Sequence, residues 1–158
     1  GLGSLADVAR TSARFLNRPL GTGTRVLLDD LLAQAGVEAQ AIRGYALNEP
    51  SHTAIAQAVA AGAADVGMGI EVAARARGLD FVPLVHERYH LACLKASLDQ
   101  PATLALRNLL QTPEWLAQMA TLPGYSPWQC GEVQAMNTVL PWWQFTRKKR
   151  TSEPRKKP

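Results

Sequence analysis

Two stretches of this chain hold residues whose types and spacing suit chemistry. The first is Gly21-Thr22-Gly23-Thr24-Arg25. Glycines free the backbone to turn tightly, and threonine hydroxyls both donate and accept hydrogen bonds. A helix opening here adds unpaired N–H groups and the positive end of its dipole, which together make an anion site. The spacing is not that of a P-loop, which needs Lys followed by Ser or Thr after the second glycine. Nor is it the three-glycine dinucleotide fingerprint, since Arg25 and Val26 stand where the third glycine falls. A strand-to-helix turn with no ligand is the plain alternative.

The second stretch is His86-Glu87-Arg88-Tyr89-His90, which matches H-E-x-x-H. On a helix the two imidazoles would ligate zinc, and Glu87 would act as general base on a bound water. The flanks, residues 81–85 and 91–94, read as strand, although Pro83 also suits a helix start. A third ligand is missing from the pattern: the remaining histidine, His52, lies upstream, and Glu114 sits between Pro113 and Trp115. A zinc-dependent hydrolase is therefore the alternative reading. No nucleophile–base pair stands out elsewhere, so no catalytic residue, metal or cofactor is expected.

The elements that must position these groups follow from periodicity. Leu27, Leu28, Leu31, Leu32 and Ala35 form one apolar stripe of helical period, with Thr22 or Thr24 as N-cap and Gly36 at the left-handed C-terminal position. Residues 2–10 read as a helical lead-in capped by Ser4, and residues 13–17 as a strand feeding the glycine loop. Residues 39–47 give a second short strand. Ser51 or Thr53 caps a small-residue helix whose inward face is Ile55, Ala58, Val59 and Gly62. Residues 65–70 form a third strand, residues 71–77 a helix closed by Gly78, and residues 80–94 a fourth strand region. Residues 103–110 and 114–119 are amphipathic helices, and Leu122-Pro123-Gly124-Tyr125 turns the chain. This alternation predicts an α/β fold with a mostly parallel sheet flanked by helices. In such sheets ligands sit beyond the carboxyl ends of the strands. Three helix starts are expected there, at Gly23-Thr24, at Ser51-His52-Thr53 and at Gly69-Ile70-Glu71.

Several residues have structural readings beside functional ones. Arg25 opposes the dipole at a helix start, which suits either a bound anion or pairing with Asp29. His52 equally serves as a helix-start hydrogen bonder. Tyr45, Tyr89 and Trp115 suit core or rim positions, and Asp65 a cap or ion pair.

Composition bounds the rest. At 158 residues with 47% apolar content the chain suits one domain with a real core. The net charge of +4 is concentrated: residues 147–158 carry seven basic groups against Glu153, which leaves the remainder at about −2. A slightly acidic body does not look like one that binds nucleic acid across a face, although the basic tail could touch phosphates. The organisation expected is a ligand-binding domain over 1–140 and a basic, disordered, solubilising tail over 141–158. No apolar run is long enough to cross a bilayer, so no membrane partner is expected. Gly1-Leu2-Gly3-Ser4 lacks the features of a signal peptide. Cys93 and Cys130 read as inert thiols, which fits a cytoplasmic setting.

Residues 17–29, Asn-Arg-Pro-Leu-Gly-Thr-Gly-Thr-Arg-Val-Leu-Leu-Asp, resemble a block of the periplasmic-binding-protein-like domain of bacterial helix-turn-helix regulators and molybdopterin-biosynthesis fusions. The resemblance continues through Gly44-Tyr45, Glu49 with His52-Thr53, and residues 64–69. It goes on through residues 78–84, Glu87-Arg88-Tyr89 and residues 122–125, covering about residues 5–131. It implies a type II solute-binding fold related to molybdate-binding proteins, with the first lobe truncated. The ligand-facing residues it implies are Gly21, Thr22, Gly23, Thr24, Arg25, His52, Thr53, Gly69, Ile70 and Tyr89. It implies sensing of a small oxyanion such as molybdate or tungstate for transcription regulation or molybdenum-cofactor chemistry, with DNA contacted only through a separate domain; a homo-oligomer is expected besides.

Overall fold

The protein is described here by a computed structural model of residues 1–142. The tail expected over 141–158 lies, from residue 143 on, outside the described residues. The first helix, α1 (Leu5–Thr11), is capped by Ser4, whose side chain accepts from the Asp7 N–H. It buries Leu5 and Val8 and leads into a short strand, β1 (Phe15–Leu16). The glycine loop then opens α2 (Gly23–Gln34), and the N-cap is Thr22, not Thr24. Gly36 takes the expected left-handed conformation at φ +63° just past its end. The α2 side chains that reach the core are Arg25, Leu28 and Leu32, one helical stripe. Leu28 is 0% exposed and packs with Phe15, Ile42 and Met68. Burying a side chain of this size contributes roughly 1.5–3 kcal/mol.

The helix α3 (His52–Ala60) is capped by Ser51 and buries Ile55 and Ala56. Ala58 and Val59 are half-buried and Gly62 is exposed, so the inward face is rotated toward Ala56 relative to the expected one. The strand β2 (Val66–Gly67) pairs in parallel with β1, Phe15 opposite Val66 and Leu16 opposite Gly67. There is no room for a side chain at position 67, where an added Cβ would run into Ile55 and Leu16. A short helix, α4 (Glu71–Arg75), follows. Further on come α5 (Pro101–Leu110), α6 (Pro113–Ala120) and α7 (Met136–Val139).

The architecture is α/β, and among the described residues the sheet has two strands. Two expected strands are corrected. Residues 39–47 form a 3₁₀ turn at Ala39–Ala41 and a loop, with a single bridge from Asn17 to Asn48. Gly44, at φ +93°, breaks any extended run there. The loop still lies along β1, because the Phe15 N–H donates to the Arg43 carbonyl and the Asn17 N–H to the Leu47 carbonyl. Residues 80–94 form neither helix nor strand and pair with no strand among the described residues, so their alternating apolar pattern is not used in the sheet described.

An ion pair fastens the start of β2 to the residue before β1. Arg14 Nη2 lies 2.7 Å from Asp65 Oδ1, and the Arg14 N–H donates to Asp65 Oδ2 at 2.8 Å. These bonds hold the Asp65 carboxyl down at about 2, from an ordinary 3.8. A carboxyl whose pKa is depressed on folding stabilises the fold above its unfolded value and loses that contribution as pH falls toward its folded value. Thermal melts should therefore show a falling midpoint between pH 4 and pH 2. Asp65→Asn should flatten part of that fall, while Asp7, also held at about 2 by Arg10 and Ser4, keeps the remainder.

Candidate ligand-binding cleft

The carboxyl ends of β1 and β2 lead into α2 and α4, and a broad groove of about 1710 Å³ takes in Thr24, His52 and Ile70 and runs on past α1 to α5, α6 and α7. Thr24, His52, Gly69, Ile70 and Tyr89, all expected from the sequence, line it. Gly69 lies against His52: an added Cβ at Gly69 would sit 3.9 Å from the imidazole Nδ1. That Nδ1 is buried and has no hydrogen-bond partner. Burial first, then the positive charge of Arg18, pushes the His52 pKa down, and Glu87 partly opposes them. At neutral pH the imidazole is therefore neutral and offers one donor and one acceptor. Arg18 also has a buried Nε without a partner, while its Nη1 donates to the Glu49 carbonyl at 2.8 Å.

The other expected residues sit elsewhere. Gly21, Thr22, Gly23, Arg25 and Thr53 are not among the residues lining the cleft. The Thr22 hydroxyl donates to the Pro19 carbonyl at 2.9 Å and accepts from the Arg25 N–H at 3.4 Å, so it shapes the loop that presents Thr24. Arg25 is 7% exposed. Its Nε lies 3.3 Å from Asp29 Oδ1, and its guanidinium stacks 4.0 Å above the Tyr45 ring. The Tyr45 hydroxyl donates to the same Asp29 carboxylate. Of the two readings of Arg25, the pairing with Asp29 is the one seen, and it stitches the Tyr45 loop to α2.

Asn17 was not singled out by its spacing, yet it is central. It is 0% exposed, its Nδ2 donates to the Tyr45 carbonyl at 3.0 Å, and its Oδ1 accepts from the Arg18 N–H at 2.8 Å. A polar residue ending an apolar strand was the available signal. Two further contacts had none. Arg88 stacks 4.3 Å over the Trp128 ring, joining segments forty residues apart. Gly124, at φ +78°, packs on Glu71 at the start of α4, where an added Cβ would come within 2.7 Å of the Glu71 Cβ.

The geometry does not favour zinc hydrolysis. His86 and His90 lie in an irregular segment, not on a helix, and both are exposed. Among the described residues no three His, Cys, Asp or Glu side chains group as a metal site. Nor is any helix among them long and apolar enough to cross a membrane.

Comparison with known proteins bears on this cleft. An uncharacterized protein of Bacillus subtilis (strain 168), YvgK, is 35% identical over 127 residues, which is 80% of this chain and 41% of that protein. The chain thus spans well under half of that relative. An uncharacterized protein from the 5' region of a Clostridium pasteurianum 2Fe-2S ferredoxin gene is 30% identical over 109 residues, 68% of this chain and 96% of its own. No solved structure matches the chain. The sequence profile of the PBP superfamily domain matches residues 1–111. The α/β body, its glycine-rich helix starts and this match agree, and the chain belongs to the PBP superfamily domain, a family of solute-binding folds.

Proposed function

We propose that this chain is a ligand-sensing domain that binds a small oxyanion, with molybdate or tungstate as the first candidates. The observation that carries the reading is the meeting of three helix starts on one cleft, with the Thr24 hydroxyl, the neutral His52 imidazole and the Gly69 backbone lining it. Helix N-termini and unpaired hydroxyl and imidazole donors complement an oxyanion without a counter-charge. The mechanism is reversible binding: the anion draws the donors together and shifts the population toward a closed arrangement. In a regulator or a molybdenum-cofactor protein, that shift would be relayed to an attached domain, and any DNA contact would be made there.

Calorimetric titration with molybdate and tungstate, with sulfate and phosphate as controls, tests this. Saturable heat at one site is expected. Thr24→Ala and His52→Ala should each weaken binding about tenfold or more, the usual loss for a hydrogen bond to a charged group. Heat that is unchanged in both variants would move the site away from this cleft.

A further inference from the structure

We propose that Arg18 anchors the ligand, gripping a negatively charged oxygen group with the Nε–Nη2 edge of its guanidinium beside His52. That the group belongs to an inorganic oxyanion rests on the reading above; the assignment of Arg18 rests on its hydrogen bonding. Arg18 stands two residues past β1, and its N–H donates to the buried Asn17 Oδ1 at 2.8 Å. The Asn17 carbonyl accepts from the Glu49 N–H at 3.0 Å, and Arg18 Nη1 donates to the Glu49 carbonyl at 2.8 Å. The guanidinium is thereby held against the loop that opens α3 at His52.

With Nη1 used on that carbonyl, the Nε–Nη2 edge is left over. It offers two parallel donors, the geometry that takes a carboxylate or a tetrahedral oxyanion in two bonds. Nε is buried without a partner, and Arg18 pairs with no carboxylate among the described residues, whereas Arg10, Arg14, Arg25 and Arg75 each do. A half-buried cation is costly until a negative partner answers it. His52 adds a second orphaned nitrogen, its buried Nδ1, at the start of α3. Burial first and the Arg18 charge second hold that imidazole neutral, so the guanidinium is felt at the groove wall. Arg107 Nε is orphaned too, but on α5, which follows neither strand. The helix starts and neutral donors complement an anion without a counter-charge; Arg18 adds one. It is not among the residues lining the groove, so its grip forms as the anion draws the donors together.

Calorimetry of the full chain with two sets of probes tests this: molybdate, sulfate and phosphate, then the carboxylates succinate and benzoate. Arg18→Gln, which keeps a donor but no charge, should weaken whichever anion binds about tenfold or more. It should also flatten the fall of affinity with added salt. Arg18→Lys, which keeps the charge but not the two-donor edge, should keep the salt dependence and lose affinity. Arg43→Gln removes an exposed arginine and should change neither. Thermal midpoints without anion, read beside the heats, separate a fold effect from a binding effect. If Arg18→Gln melts early, Arg18→Lys decides alone, and wild-type affinity there overturns the two-donor grip. A folded Arg18→Gln protein with wild-type affinity and salt dependence would overturn the assignment and leave the oxyanion reading standing. Carboxylate heat that depends on Arg18, with none from the inorganic anions, would do the reverse. No heat from any of the probes would overturn both.

Discussion

Gly44→Ala is expected to be among the most damaging single changes in this protein. Gly44 sits at φ +93°, and a Cβ there would run into the Phe15 carbonyl. Left-handed backbone costs an L-residue roughly 1–2 kcal/mol, and forcing an extra carbon into a packed site adds about 1–3 kcal/mol. The combined loss, about 3 kcal/mol, is a large share of a typical domain's 5–15 kcal/mol. Urea denaturation should show a midpoint well below wild type with an unchanged slope, or no folded baseline. The contact also has a functional side. Phe15 N–H donates to the Arg43 carbonyl, so displacing the Gly44 loop from β1 disturbs the strand that leads into the glycine loop and Thr24. A Gly44→Ala protein with wild-type stability would show that the loop is free to move off the strand.

The second large effect is expected at Asn17. Replacing it by Ala removes one donor and one acceptor from a fully buried position, leaving the Tyr45 carbonyl and the Arg18 N–H without their partners. Each orphaned buried group costs about 1–3 kcal/mol, so a loss of about 3 kcal/mol is expected. Arg25 Nη1, 3.5 Å from the same Tyr45 carbonyl, is too long a contact to take over fully. Hydrogen exchange should show faster opening at the Leu47 carbonyl's partner and along residues 45–49. Asn17→Ala with native exchange rates there would mean that the loop is held by Arg25, Asp29 and Tyr45 alone.

These two positions show what the sequence made legible. The helix-forming stripe of α2, the caps at Ser4 and Ser51 and the glycine after α2 were readable because they depend on neighbours three or four residues away. Thr24 and Gly69 were expected near one another because each follows a strand of a parallel pair, whereas His52 lines the same groove although the strand expected before α3 did not form. The role of Arg25 was only half readable, since its Asp29 partner is local but its Tyr45 platform is twenty residues away. The loop at 39–47 and the free segment at 80–94 were misread as strands because alternation signals extended chain, not the presence of a neighbour to pair with. Pairing is a property of the whole topology, and two residues of β2 were enough to complete the sheet that formed.

The Arg14–Asp65 tie also bears on the order in which the protein folds. Its two ends are separated by 51 positions, so bringing the two strands into register means closing a long loop. The helices α2 and α3, built from local contacts, form in microseconds or less, whereas closing a long loop to register two short strands is the slow, entropically opposed event. Gly69 joins Thr24 and His52 only once that closure is made, so the candidate cleft is complete only then. An anion that binds it would act on the unfolding rate and leave the folding rate nearly unchanged.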